Sequence, residues 1–168
     1  MAILTPTIKL LITGTRTNAA DLESAAVTLN TTIQIPFTNG VNDDQVDLLF
    51  SDTRVIGAGL NDDLDLAGVL LDQAFGGVLT FAKVKGLIIY SKLDLNKVLT
   101  IQGDGAAGFE TWLKATGDGV KINAGGFFAL VAPNTGFVVT PTTADILRIA
   151  NASGGSSTYD IWIFGTSS

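Results

Sequence analysis

Turn-forming residues recur at short intervals along this chain, and their spacing is the feature that most restricts its fold. The short runs between them are rich in Val, Ile, Leu, Phe and Thr, which are enriched in β-strands. Many short strands separated by turns indicate an all-β sandwich or barrel rather than alternating strands and helices. The residues that favour tight turns or positive φ angles are Asn39-Gly40, Gly57-Ala58-Gly59, Gly117-Asp118-Gly119, Gly125-Gly126, Pro133-Asn134-Thr135-Gly136 and Gly154-Gly155.

The apolar runs between these turns predict twelve strands. They lie near Ile8–Thr13, Thr32–Pro36, Asp47–Phe50, Arg54–Ala58, Leu64–Ala67, Leu87–Ser91, Val98–Gln102, Val120–Ile122, Phe127–Ala132, Phe137–Thr140, Ile146–Ala150 and Tyr159–Phe164.

One segment, from Asp72 to Lys85, departs from the strand pattern. Its apolar residues fall at helical spacing, Asp72 can cap the first turn, and Gly86 follows the last one. Because Gly76-Gly77 weakens helix formation, we expect only a short helix here, with another helical turn within Asp21–Val27. The sequence therefore predicts a mainly β chain, a jelly-roll-like antiparallel β-sandwich with one short helix, in a single domain over residues 1–168.

Two residue types are missing, and their absence removes much catalytic chemistry. The 168 residues include no histidine and no cysteine. Ser-His-Asp and Cys-His nucleophilic systems, zinc sites built on Cys and His, and redox C-x-x-C motifs are therefore excluded. Only two glutamates are present, Glu23 and Glu110, and no general acid–base constellation stands out. We expect no catalytic residues and no enzymatic activity.

The charge balance restricts the partners. Ten Lys and Arg against sixteen Asp and Glu give a formal net charge of −6 at pH 7, which repels phosphate backbones and anionic lipid. Met1–Leu11 lacks a basic region ahead of its apolar residues, so we expect no signal peptide, and neither nucleic acid nor a membrane as partner. Charged residues make up only 15%, against about 25% in ordinary soluble domains, which favours apolar surface that an assembly covers.

One glycine-rich motif imitates a nucleotide site. Gly103-Asp104-Gly105-Ala106-Ala107-Gly108 matches G-x-G-x-x-G after a predicted strand. The turn at Gly117-Asp118-Gly119 leaves little room for the helix that would hold a pyrophosphate, and Asn123 stands where a ribose-binding acid is needed. We expect a surface loop here and no cofactor.

Three further motifs have ordinary explanations. Asn61-Asp62-Asp63-Leu64-Asp65 collects oxygen ligands but lacks the glycine and the distal glutamate of an EF-hand loop. We expect a polar turn that enters a strand, and no metal. Asn30-Thr31-Thr32 and Asn151-Ala152-Ser153 match the glycosylation pattern, which we attribute to chance.

The last predicted strand is apolar on both faces. Tyr159, Ile161 and Ile163 point to one side, and Trp162 and Phe164 point to the other. Two explanations remain open: a loop or the helix covers the second face, or that face lies in a subunit interface, where Trp and Phe are enriched.

The layout of the chain resembles that of the small decoration, or cement, proteins of tailed-bacteriophage capsids. The resemblance covers roughly the last two thirds of the chain and rests on layout rather than on catalytic motifs. The segments that carry it are Leu64-Asp65-Leu66-Ala67-Gly68, the stretch from Phe75-Gly76 to Val84-Lys85, Leu99-Thr100-Ile101-Gln102-Gly103, Asp118-Gly119-Val120-Lys121-Ile122 with Gly125-Gly126, Ala129-Leu130-Val131-Ala132-Pro133, Leu147-Arg148-Ile149-Ala150-Asn151 and Tyr159-Asp160-Ile161.

This resemblance implies a jelly-roll sandwich that assembles as a homotrimer and bridges neighbouring subunits of the major capsid protein. Such a protein is made in the host cytoplasm and resides on the capsid surface of the virion. Decoration needs no chemistry, because a protein that binds only the expanded shell stabilises that shell by mass action.

The N-terminal segment is the first candidate for capsid or subunit contact. Pro6 favours an extended path, so residues 1–20 are expected either to add a strand to a neighbouring sheet edge or to form the first strand of this subunit's own sheet. The contact residues that we predict are Ile3, Leu4, Ile8, Leu10, Leu11, Trp162 and Phe164.

An alternative function is a carbohydrate- or receptor-binding β-sandwich module of a phage tail fibre. Such a module needs exposed aromatic side chains as platforms. Trp112 is the best candidate for that role in the sequence.

Overall fold

The structure is a computed structural model and describes residues 3–19, 24–68, 70–93 and 97–168. These ranges contain strands and turns but no helix. The strands are β1 (Thr7–Ala19), β2 (Ser24–Pro36), β3 (Thr38–Asn39), β4 (Gln45–Val46), β5 (Leu48–Ile56), β6 (Asn61–Asp65), β7 (Leu70–Leu71), β8 (Val78–Leu79), β9 (Lys83–Ser91), β10 (Val98–Gly103), β11 (Gly119–Asn123), β12 (Phe127–Val131), β13 (Phe137–Val138), β14 (Ile146–Asn151) and β15 (Ser157–Thr166).

Two antiparallel sheets form the body of the protein. The five-stranded sheet has the order β12-β9-β15-β5, with β13 also paired to β9. The four-stranded sheet has the order β11-β10-β14-β6. Three two-stranded sheets lie outside these large sheets: the hairpin β1-β2, the parallel pair β3-β4 and the antiparallel pair β7-β8. The prediction of a mainly β, antiparallel chain is confirmed.

The two large sheets share one hydrophobic core. Alternate residues of β10 and β14 are buried, as expected for strands with one face on a core. The same cluster receives side chains from the other sheet, so the two sheets bury their inner faces together. Its members include Leu99, Ile101, Leu147 and Ile149 from the four-stranded sheet and Leu87, Ile89, Ile161 and Ile163 from the five-stranded sheet.

The strand predictions succeed over most of the body. The two predicted strands Asp47–Phe50 and Arg54–Ala58 are one continuous strand, β5. Strand β6 begins three residues before the predicted Leu64–Ala67, because the polar run that enters it is itself paired with β14.

The predicted helix over Asp72–Lys85 is wrong. Asp72 Oδ1 accepts hydrogen bonds from the backbone N–H groups of Ala74 (2.8 Å) and Phe75 (3.1 Å), which closes a tight turn. Gly76 then adopts a positive φ of 70°, which reverses the chain into β8. The helical spacing of apolar residues here is accidental, because Phe75 is 77% exposed. Of the helical turn predicted within Asp21–Val27, residues 21–23 lie outside the described ranges and the remainder belongs to β2.

Candidate functional site

The most unusual feature of the molecule is the hairpin formed by β1 and β2, which we call the contact hairpin. Each strand has 13 residues, so the hairpin extends for about 44 Å. Residues 9–18 and 26–34 are all exposed, so only the base of the hairpin packs against the body. An isolated two-stranded hairpin is marginally stable in water, and long hairpins normally need a third strand or a covering layer.

The two faces of the contact hairpin differ in chemistry. Directly paired residues share a face, and the pairing runs from Thr7↔Pro36 to Ala19↔Ser24. One face carries polar side chains around Leu11, mostly threonines, with Lys9, Asn30 and Gln34. The other face, the apolar face, carries Ile8, Leu10, Ile12, Gly14 and Arg16 on β1 and Ile35, Ile33, Thr31, Leu29 and Val27 on β2.

The apolar face is uncovered beyond its base. About half of the surface of each large aliphatic side chain on this face is exposed to solvent. The exposed fractions are 40% for Leu10, 43% for Ile12, 69% for Val27, 51% for Leu29 and 50% for Ile33. Covering the remaining half of five such side chains is worth about 1 kcal/mol each, or about 5 kcal/mol per hairpin.

The base of the contact hairpin sits on the outer face of the five-stranded sheet. Leu4, Ile8 and Ile35 pack on a second hydrophobic cluster that includes the buried Phe37 and Phe164. The backbone N–H of Phe37 donates to the Pro6 carbonyl oxygen at 2.9 Å, which closes the base. The base therefore anchors the hairpin to the body, while residues 9–18 and 26–34 extend from it into solvent.

A glycine makes room for this anchor. Gly86 lies in β9 beneath the hairpin base, and a Cβ atom there would stand 3.2 Å from Ile8 Cδ1 and 3.1 Å from Phe164 Cδ2. Both distances are tighter than ordinary van der Waals contact, so a larger residue would have to displace one of these side chains.

The structure separates the predicted contact residues into three groups. Leu4, Ile8 and Phe164 meet at the hairpin base, where Phe164 is buried within the chain and is not free for a partner. Leu10 and Leu11 stand on opposite faces of the contact hairpin, and Ile3 is 80% exposed before it. Trp162 lies in the next row of the same outer sheet face and does not belong to the cluster at the hairpin base.

The outer face of the five-stranded sheet is arranged in cross-strand rows. The row nearest the hairpin, Val131-Gly86-Phe164-Leu49, is covered by the hairpin base. The next two rows, which we call the open face, lie outside the cluster at the hairpin base except for Ile88. They are Ala129-Ile88-Trp162-Ser51 and Phe127-Tyr90-Asp160-Thr53.

The two apolar residues on the outer face of β15 differ in how far they are covered, and the subunit-interface explanation for this face stays a prediction. The base of the contact hairpin covers Phe164. The sequence predicted a loop or a short helix as the cover and did not predict the hairpin. Trp162 keeps 36% of its surface exposed.

Sequence reasoning missed half of the contact hairpin. It assigned the first part of β2 to a helical turn and did not pair β2 with β1. A signal was present, since Val27, Leu29, Ile33 and Ile35 alternate with Thr28, Asn30, Thr32 and Gln34 at the period of two that marks a strand with one apolar face.

The glycine-rich motif is a loop whose amides are already in use. Asp104 Oδ1 accepts hydrogen bonds from the backbone N–H groups of Ala106 (3.1 Å) and Ala107 (2.7 Å). Turns and bends follow it instead of a helix. A phosphate would have to displace a carboxylate from the amides that it needs, so the arrangement does not suit a nucleotide.

The acidic run in β6 is divided between two arginines. Arg54 donates to both carboxylate oxygens of Asp62, at 2.6 and 2.7 Å, and Arg148 does the same to Asp63. Hydrogen bonds from Arg148 lower the pKa of Asp63 below its usual range. Asp65 Oδ1 instead accepts from the backbone N–H of Ala67. The described ranges contain no group of three or more acidic side chains that could hold a metal ion.

Trp112 is a packing residue rather than a platform. Its ring lies 5.5 Å from the ring of Phe128, and its Nε1 donates to the Phe109 carbonyl oxygen at 2.9 Å. Because the indole is half-buried and its polar group is satisfied, it offers little surface to a ligand.

Comparisons with known proteins assign no family to the chain. No family model, no curated protein and no solved structure matches it. Within the part of the chain that the structure describes, no helix is long and apolar enough to cross a membrane.

Proposed function

We propose that this chain is a structural virion protein that binds the outside of a phage capsid as a homotrimer and bridges subunits of the major capsid protein. The contact hairpin is the observation that carries the proposal. A strand pair of this length with an uncovered apolar face belongs in an assembly, because water alone does not stabilise it.

The strand order supports the finer proposal of a jelly-roll β-sandwich. Eight strands are divided equally between the two large sheets, and along the chain they change sheet at every step except from β10 to β11: β5, β6, β9, β10, β11, β12, β14 and β15. Counted from one to eight, they form the sheet orders 1-8-3-6 and 2-7-4-5, which two nested Greek keys generate. Viral capsid proteins commonly use this architecture.

The hairpin chemistry supports a protein partner. Between them, β1 and β2 contain two cations, Lys9 and Arg16, and no acid, whereas the whole chain has a net charge of −6. Asp21 and Glu23 lie between the two strands in sequence, so residues 7–36 carry no net charge and differ from the acidic remainder of the chain. Burying its apolar face supplies about 5 kcal/mol per chain, and three chains on one shell site add their contributions.

A shortened hairpin tests this function. Residues 11–32 are replaced by Asn-Gly, which joins the paired Leu10 and Ile33 and leaves the base intact. The native protein is expected to sediment with expanded capsids of its phage and to form trimers of three 17.5 kDa chains, about 52 kDa, in solution or on the shell. The shortened variant is expected to lose capsid binding while its melting temperature falls by less than about 3 °C, because residues 11–18 and 26–32, which it removes, are exposed.

Two point variants sharpen the test. Leu29→Lys places a charge on the apolar face, and Thr28→Lys places the same charge next to it on the polar face. Capsid binding should fall at least tenfold for Leu29→Lys and change less than threefold for Thr28→Lys. Unchanged capsid binding by the shortened hairpin would overturn the proposal.

One observation favours the second candidate function, a carbohydrate- or receptor-binding module of a tail fibre. Trp162 and its polar neighbours stand uncovered on the open face, as a binding module requires. This second candidate predicts binding that does not depend on the contact hairpin.

A further inference from the structure

The open face contains a shallow depression beside Trp162. It has a volume of about 360 Å³ and is lined by Ser51, Asp52, Thr53, Lys92, Asp160 and Trp162. Every lining residue except Trp162 is polar. Exposure of the Trp162 indole ring to water costs free energy. An exposed aromatic ring surrounded by hydroxyl, carboxylate and ammonium groups is typical of a ligand site.

The polar groups of the depression are held in fixed positions. Asp160 Oδ1 accepts a hydrogen bond from Thr53 Oγ1 at 2.6 Å and contacts Lys92 Nζ at 3.1 Å. Partial burial raises the pKa of Asp160, but the bonds from Thr53 and Lys92 outweigh it and keep this pKa below its usual range. Asp52 Oδ2 is held by Arg54 Nη1 at 3.0 Å. The depression therefore presents an ionised acceptor and a cationic donor side by side.

The backbone hydrogen-bonding groups around Trp162 are occupied by the neighbouring strands. Strand β15 pairs with β5 on one side and β9 on the other, so the peptide groups near Trp162 lie inside the sheet. A peptide ligand cannot add a strand here, because that mode needs a free edge. Recognition at this place depends on side chains alone.

The ligand chemistry follows from these groups. The indole favours a flat apolar surface, and the adjacent carboxylate and ammonium favour neighbouring hydroxyl groups that both donate and accept. A phosphate or nucleotide is disfavoured, since the ionised Asp160 stands in the depression and already pairs with Lys92. A pyranose ring has an apolar C–H face and a rim of hydroxyls, and it suits both requirements.

We infer that this depression is a binding site for a neutral saccharide, with one pyranose ring stacked on Trp162 and its hydroxyls bonded to Asp160 and Lys92. The site extends along the row to Tyr90 and to Phe127, which is 61% exposed. Two strand spacings, about 10 Å, separate the strands of Trp162 and Phe127, so the open face is expected to accept an oligosaccharide rather than one sugar alone.

A glycan array followed by solution binding tests the inference. The full chain is applied to an array of bacterial cell-surface and plant glycans, and the hits are titrated by calorimetry beside cellohexaose, chitohexaose and maltohexaose. At least one saccharide should bind, and Trp162→Ala should lower the affinity for it at least tenfold. The control Phe75→Ala removes an aromatic side chain that is 77% exposed and does not line the depression, and it should change the affinity less than twofold.

Two further variants guard against a folding defect. Lys92→Ala removes a charged side chain that is 42% exposed, and it should also lower the affinity for the saccharide. In Trp112→Phe, Trp162 is the remaining tryptophan, and its fluorescence should shift as the saccharide is added. Melting temperatures confirm that each variant is folded.

The results separate this site from capsid attachment. Saccharide binding should survive in the shortened hairpin, and Trp162→Ala should still bind capsids. The inference is overturned if the native chain binds no saccharide, or if binding is equal in Trp162→Ala and native protein. Loss of capsid or subunit binding by Trp162→Ala, without any saccharide, would assign Trp162 to a protein interface instead.

Discussion

A single buried amide holds together the end of the body that lies away from the contact hairpin. Asn151 is 1% exposed at the end of β14, and its Nδ2 lies within hydrogen-bond distance of three carbonyl oxygens: Ile56 (3.1 Å), Gly57 (3.0 Å) and Gly155 (2.9 Å). Its Oδ1 accepts from the backbone N–H of Ser153 at 3.1 Å. One side chain therefore ties the β5–β6 turn to the loop before β15.

Replacing Asn151 by Asp keeps the shape and removes the donor. The Nδ2 group has two protons, so two hydrogen bonds are lost and an oxygen is placed against three carbonyl oxygens. Each lost bond costs about 1 kcal/mol, and the unsatisfied buried groups add a similar amount, so we expect Asn151→Asp to lower the free energy of unfolding by about 3 kcal/mol.

Urea unfolding at pH 7, followed by tryptophan fluorescence, measures this loss. With a slope of about 2 kcal/mol per molar urea, the midpoint should fall by about 1.5 M. The control Asn30→Asp makes the same chemical change on the exposed contact hairpin and should alter stability by less than about 0.5 kcal/mol. A loss below about 1 kcal/mol in Asn151→Asp would refute the claim that the amide bridges these loops.

Three other changes test the body of the fold. Tyr159 is fully buried and its hydroxyl donates to Asp62 Oδ2 at 2.9 Å, so Tyr159→Phe should cost about 1 kcal/mol in urea unfolding; a change of sign would contradict this hydrogen bond. The pKa of Asp63 is lowered by Arg148, so this pair stabilises the fold above the unfolded pKa near 3.9 and loses that effect as pH falls through the folded pKa. Melting temperatures measured from pH 6 to pH 2 should fall less steeply in Arg148→Gln than in native protein, and equal slopes would be evidence against the pair. An added Cβ at Gly165 would lie 2.2 Å from a backbone carbonyl oxygen of β9, so Gly165→Ala should lower stability by more than about 2 kcal/mol, and a thermal melt that matches native protein would disprove the close approach.

The sequence could predict the strands of the body because their burial follows a local pattern. In β10 and β14 buried and half-buried residues alternate strictly, which is the consequence of one face on the core. The false helix at Asp72 arose from the same kind of local evidence. A helix and a turn closed by an aspartate begin with the same residues, and here the glycine at positive φ decided the outcome.

The candidate sites could not be predicted in full, because they depend on pairing between distant segments. Trp162 and Phe164 point to the same side of one strand, yet one is open and the other is covered. What distinguishes them is the contact of Ile8 with the row of Phe164, more than 150 residues away along the chain. Likewise, Lys92 and Thr53 reach Asp160 only through the register of three strands.

This arrangement also decides how the two surfaces must be separated in experiment. The hairpin base covers Phe164 and Val131, and Ile88, which belongs to the neighbouring row of Trp162, packs on the same cluster. Deleting the whole hairpin would expose the apolar row of Phe164 next to the proposed saccharide site, and new non-specific contacts would then confuse both tests. Shortening the hairpin beyond Leu10 keeps Ile8 on Gly86 and the apolar row covered. This cut removes Ile12, Val27 and Leu29 from the uncovered apolar face and leaves the open face as it is in the native protein.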